Sequence, residues 1–235
     1  MDNNGQRVVI NPEKAGLNGF LTKMYAFMAG AVAISAVVAY LVAKVFYAQV
    51  MTTIAQHSFL MWLLFGVQFI IVLGMSFKVD RSPLMTATGL VSFAVIEGLF
   101  FGIIVTAYTG TDVTMAFIGA ATVFIAMTAI GSITKRDLSR IGTQALAALI
   151  GLVVVSIINI FLQSAMIQFV FSFIGVIIFT ALTAWDAQKF KQLYMQTSGQ
   201  VNENNLAMMG ALQLYLDFIN IFISLLNIFG GFSKN

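Results

Sequence analysis

From residue 22 onward, apolar residues run in stretches of twenty or so, each closed by a short polar interval. Seven stretches, at about 22–46, 57–78, 83–108, 112–133, 141–162, 166–190 and 206–230, match the roughly 20 residues a helix needs to cross a hydrocarbon core. Backbone groups inside a bilayer have no water to bond with, so a span is a helix or part of a closed barrel, and the alternation of a barrel strand is missing. The predicted fold is all-α, a polytopic membrane protein with a seven-transmembrane-helix bundle. Residues 1–21 are expected to be a short polar cytoplasmic segment and 22–235 the transmembrane domain.

Composition agrees with the pattern. Of 235 residues 60% are hydrophobic and 9% charged, against roughly 25% charged in a soluble domain, too few to cover a soluble globule. Cysteine is absent, which removes disulfide and thiol chemistry. The first 20 residues lack an apolar core, so no cleavable signal peptide is expected and the first span should remain as an anchor. No internal repeat or Pro-interrupted pair of half-helices is visible, which weakens a transporter of inverted repeats.

The net charge of +3 becomes informative once its members are placed. Arg7, Lys14 and Lys23 precede or open span 1; Lys78 and Arg81 lie between spans 2 and 3; Lys135, Arg136 and Arg140 between 4 and 5; Lys189 and Lys191 follow span 6. With seven spans all of these fall on one side, leaving only Lys44 and Lys234 for the other. Lys and Arg are enriched in cytoplasmic loops, so the N-terminus is expected inside and the C-terminus outside.

Span 7 carries a polar stripe. Gln213, Asp217, Asn220, Ser224 and Asn227 recur at spacings of four, three, four and three, on one face of a helix otherwise rich in Leu, Ile, Phe and Met. That face must meet protein or a water-filled cavity, which predicts a central position for the last helix.

Asp217 falls near the middle of its span, where an uncompensated carboxylate costs at least ~2.5 kcal/mol. Asp186 sits near the cytoplasmic end of the preceding span with Thr183 one turn earlier, and Glu97 lies halfway through span 3. The other acids fall in termini, loops or helix ends. Two carboxylates brought together in a low-dielectric interior titrate in two coupled steps, which is the chemistry of a pH sensor. Carboxylate, amide and hydroxyl oxygens along one face are also the hard ligands that suit Ca²⁺. The alternative is that these groups only hold helices together, and for Glu97 taken singly that reading is favoured.

Gly98 and Gly102 stand in a GxxxG spacing, read as intramolecular helix packing. The single histidine, His57, has no partner at metal-ligand spacing and reads as an interfacial residue.

The segment Leu214-Tyr215-Leu216-Asp217-Phe218-Ile219-Asn220-Ile221-Phe222, followed by Ile223-Ser224-Leu225-Leu226, resembles the terminal signature of the Bax-inhibitor family, the transmembrane Bax inhibitor motif proteins, with their bacterial YccA and YetJ branches. Supporting pieces, in the family's order, are Glu97-Gly98, Lys135-Arg136-Asp137-Leu138-Ser139, Asn159-Ile160-Phe161 and Trp185-Asp186. The resemblance implies a bundle with the last helix central and a pH-sensitive Ca²⁺ leak controlled by an aspartate pair, which by motif position is Asp186 and Asp217. It also implies a basic latch at the end of span 2, for which Arg81 is the first choice and Lys78 the second; a positive-inside anchor is the alternative use of either. Some YccA-type members lack the final aspartate and are tied to a membrane-bound protease.

The expected function is thus a pH-sensitive calcium leak channel in a bacterial plasma membrane, with Gln213, Asn220, Ser224, Asn227 and Glu97 as a supporting polar pathway. Asp186 and Asp217 are also its transient Ca²⁺ ligands. The runner-up is an interaction protein that modulates a membrane protease or other membrane complex. An enzyme is not expected, since no Gly-x-Ser-x-Gly or His-Glu-x-x-His supports hydrolysis. No cofactor beyond Ca²⁺ as permeating ion and no nucleic-acid partner are expected; the partners are the lipid bilayer, Ca²⁺ and H⁺.

Overall fold

A computed structural model describes residues 12–77, 82–197 and 200–233. Its helices are α1 (Pro12–Lys44), α2 (Tyr47–Gln56), α3 (Phe59–Phe77), α4 (Pro83–Ile104), α5 (Gly110–Ile133), α6 (Ser139–Leu162), α7 (Ala165–Thr197) and α8 (Glu203–Ser233), with a single 3-10 turn at Val105–Ala107. No strand occurs among the described residues, so the fold is all-α as expected. Among the described residues six helices are long and apolar enough to cross a membrane, and the pair α2 and α3 raises the number to seven when counted as one broken span.

Sequence chemistry sets several of the boundaries. Ser82 caps α4 by accepting a hydrogen bond from the Met85 amide at 3.3 Å, and Pro83 occupies the first turn, where its missing N–H is no loss. Thr109 and Asp112 form a reciprocal capping box at the start of α5. Gln163 ends α6 in the left-handed region, with φ of 49°.

The residues between the first two predicted spans hold a helix that the run of spans does not reveal. α2 places Tyr47, Val50, Met51 and Ile54 on one face and Gln49, Thr52, Thr53 and Gln56 on others, and it buries none of them. Its 10 residues are too few to cross a bilayer, and it turns by 99° into α3. Amphipathicity at that length suits a membrane boundary better than its core.

α8 is the hub. It packs on α7, α1, α5 and α4, and 72% of its apolar window is buried, against 6% for α6, which lies at the periphery against α7. Phe218 makes edge-to-face contacts with Phe117 and Phe124 of α5, and Phe222 with Phe101 of α4. The second tight seam joins α1 to α4. A Cβ at Gly98 would come within 2.7 Å of the Ser35 carbonyl oxygen and Val38, and one at Gly102 would strike Val42, so the GxxxG spacing is spent inside the chain.

Candidate functional site

The long helices α7 and α8 pack against each other more extensively than any other pair, and Asp186 and Asp217 lie on that seam. Asp186 of α7 is 1% exposed and Asp217 of α8 is 2% exposed. Their carboxyl groups interact directly, with the side chain of Gln213, one turn before Asp217, also in reach of Asp186. Thr183, on the same side of α7, is fully buried and returns its hydroxyl to the Phe179 carbonyl at 2.7 Å. Neither oxygen of Asp186 accepts a hydrogen bond, nor does Oδ2 of Asp217. The pair is thus close-packed and electrostatically coupled, with Gln213 as its nearest amide.

Lys189 is the only cation in contact with the pair among the described residues. Its Nζ stands 3.7 Å from Asp186 Oδ1, too far for a hydrogen bond, and rests over the Trp185 ring at 4.9 Å from the centroid. The lysine side chain is 45% exposed, so it reaches from the buried carboxylate to the surface. Sequence reasoning treats Lys189 only as a topology marker; its i,i+3 spacing from Asp186 is the signal that marks it as a partner. The two latch candidates, Arg81 and Lys78, lie outside the described residues.

Beyond Asp217 the stripe opens into space. Asn220, Ser224 and Asn227 line a crevice of about 570 Å³ between α6, α7 and α8, together with Ser156 and Asn159 of α6 and Ser172 of α7. Asn227 Oδ1 accepts hydrogen bonds from the Tyr108 hydroxyl at 2.6 Å and the Gln168 amide at 3.2 Å. Asn220 Nδ2 donates only to the Leu216 carbonyl of its own helix, at 2.8 Å. Ser224 faces Gly175, where a Cβ would approach its hydroxyl to 2.8 Å, so the glycine lets the two helices close at that level. The crevice therefore reaches to within one turn of Asp217.

Glu97 does not join this group. It receives a 2.6 Å hydrogen bond from Gln68 Nε2 at the α3 and α4 contact, and Gln68 is itself buried. Its neighbour across the core is Tyr215, whose hydroxyl lies 2.6 Å from Ser35 Oγ.

A further polar clamp closes the other end of the site. Gln188 is buried, accepts the Leu138 amide at 2.8 Å and donates to the Arg136 carbonyl at 2.8 Å. The connection between α5 and α6 is thereby tied to α7 two residues from Asp186. Within it, the hydroxyl and amide of Ser139 hold the exposed Asp137 carboxyl below its usual 3.8. Lys191 adds a 2.6 Å hydrogen bond to the Ser132 carbonyl. Sequence reasoning misses Gln188, because a glutamine near a helix end reads as solvated.

Among the described residues no group of three or more His, Asp or Glu side chains is placed to hold a resident metal. The fold and the site define a polytopic helical membrane protein with a buried acid pair beside a polar crevice. Residues 17–234 match the family described as Inhibitor of apoptosis-promoting Bax1, and the chain belongs to this Bax-inhibitor family. It is 38% identical over 223 residues to a membrane protein of Streptococcus pyogenes serotype M3, covering 95% of this chain and 97% of that one. It is 35% identical over 228 residues to the protein YrjE of Lactococcus lactis, covering 97% of each. The inner membrane protein YbhL of Escherichia coli K12 is 34% identical over 226 residues, 95% of each chain.

Proposed function

We propose that this protein is a pH-sensitive Ca²⁺ leak in a bacterial plasma membrane, N-terminus inside, with Asp186 and Asp217 as one titrating gate. The observation that carries the reading is the meeting of two buried carboxylates one turn from the end of a polar crevice. Two buried carboxylates in contact are an expensive arrangement for a purely structural contact. Its cost falls when the pair takes up a proton or a cation.

The chemistry follows from the ligands. Ca²⁺ prefers six to eight hard oxygens, and Asn220, Ser224 and Asn227 offer neutral oxygens along the crevice before the charged ones of the pair. Two carboxylates alone are a partial shell, suited to passing an ion on rather than keeping it. Protonation removes charge that attracts the ion and weakens the hold of Lys189, or of a latch from Arg81 or Lys78, on the pair. Those effects oppose one another, so the reading commits to a pH response and leaves its sign to measurement.

Purified protein in liposomes, with Ca²⁺ flux followed across pH, tests the reading. A flux that changes with pH supports it. Folded protein with no flux at any pH would instead favour a helical interaction protein acting on a membrane protease or another membrane complex.

A further inference from the structure

α1 and α5 both pack on α8 yet scarcely touch one another. The space between them is an apolar groove of about 380 Å³, floored by Phe218, Ile219 and Phe222 of α8. On α1 its wall runs from Val32 to Lys44 and is cut low by Ala36, Ala39 and Ala43. Tyr40 and Phe117 on its rims are exposed on the outside of the bundle, at 64% and 45%. The groove thus opens toward lipid.

Its polar inventory is short. The Ser35 hydroxyl is already held by the Ala94 carbonyl and Tyr215, and the Thr114 hydroxyl by the Gly110 carbonyl. The remaining polar groups are the Tyr40 hydroxyl on the exposed rim and Lys44, exposed in the last turn of α1, and no acid pairs with Lys44 among the described residues. Asp112, near the start of α5, is buried and turned into its capping box with Thr109. A polar solute would find few partners along this groove, whereas a hydrocarbon chain needs none.

Length and charge together fit a lipid. From Val32 to Lys44 α1 rises roughly 18 Å, a little over one leaflet of a ~30 Å hydrocarbon core. We propose that the groove binds an anionic phospholipid, with one acyl chain lying between α1 and α5 and the phosphate at the Lys44 ammonium. Lipid tails are as apolar as the groove's side chains, so the headgroup charge sets the preference among lipids. The inference is independent of the Ca²⁺ reading.

Native mass spectrometry of the full chain, taken from vesicles with equal phosphatidylglycerol and phosphatidylcholine, tests it. One lysine near a charged lipid surface corresponds to a preference of about fivefold for phosphatidylglycerol. Lys44→Gln should abolish that preference, and Ala36→Phe, which fills the groove, should lower retention of both lipids. Equal retention of the two lipids by the wild type, or an unchanged preference in Lys44→Gln, would overturn the proposal. Photo-crosslinking of the wild type with a diazirine-bearing phosphatidylglycerol acyl chain needs no variant to fold. Adducts within residues 32–44 and 113–117 are expected, and adducts confined to other surfaces would overturn the assignment.

Discussion

Tyr215 and Asp217 stand two residues apart on α8 and engage opposite walls of the bundle. The tyrosine hydroxyl meets Ser35 of α1 at 2.6 Å, and the aspartate meets Asp186 of α7. Two residues along a helix turn the side chain by about 200°, so α8 is anchored on one side by a neutral polar contact and presents its acid on the other. Because Phe218 and Phe222 are packed among aromatic rings of α4 and α5, the face of α8 suited to water is the one that carries the stripe.

Cysteine scanning of residues 213–227 in the cysteine-free chain should reproduce this division. Cysteines at 224 and 227 are expected to react with a water-soluble thiol reagent, and cysteines at 218 and 222 to resist it. Reactivity without a helical period would mean that the crevice does not admit water.

The α1 and α4 seam makes a stability prediction. Gly98→Ala pushes a methyl against the Ser35 carbonyl and Val38, and overpacking of this kind costs ~1–3 kcal/mol. Gly30→Ala, where nothing lies within 4 Å, should leave the thermal midpoint unchanged or raise it, since alanine favours a helix over glycine by roughly 0.5–1 kcal/mol. Equal effects of the two substitutions would contradict the close approach of α1 and α4.

Asp137 yields a pH dependence outside the membrane. Its carboxyl is depressed below 3.8 by the Ser139 hydroxyl and then the Ser139 amide. A depressed carboxyl contributes its stability in full above the unfolded value and loses it as pH falls through the lower folded value. Asp137→Ala should therefore lower the thermal midpoint at neutral pH, with the gap to wild type closing below 3.8. A gap that stays constant into acid would show that the charge on Asp137 is not what holds Ser139.

Orientation has a direct readout. A reporter fused after Asn235 should be external and one inserted within residues 135–140 internal, as the placement of basic residues requires. A cytoplasmic C-terminus would mean that an even number of spans crosses, and the broken pair α2 and α3 would then be re-entrant.

Much of the fold is legible in the sequence because membrane spans announce themselves through length and apolarity, and because a polar stripe on an apolar helix admits few placements other than a central one. The pairing of Asp186 with Asp217 comes instead from the family resemblance, since adjacency of two spans does not set which of their residues meet. What else escapes the pattern depends on partners distant in sequence. Glu97 reads as one more intramembrane acid until Gln68 is seen to hold it; Asn227 reads as the end of a stripe until Tyr108 and Gln168 converge on it. α2 escapes for another reason: ten residues with mixed polarity look like a loop unless the apolar face is counted at helical spacing. Lys189 and Gln188 are hidden by their position, since polar residues at a cytoplasmic helix end are usually solvated.

The most direct measurement is Ca²⁺ flux into dye-loaded liposomes, stepped across pH, for the wild type, Asp186→Asn, Asp217→Asn and the double variant. If the two carboxylates act as one unit, removing either charge ends the repulsion that couples them, and the second substitution has little left to change. A wild-type flux that varies with pH, a flattened or displaced response in each single variant, and little further change in the double variant are expected. A wild-type pH response in both single variants would contradict a gate formed by Asp186 and Asp217, and strictly additive shifts would make them two independent carboxylates.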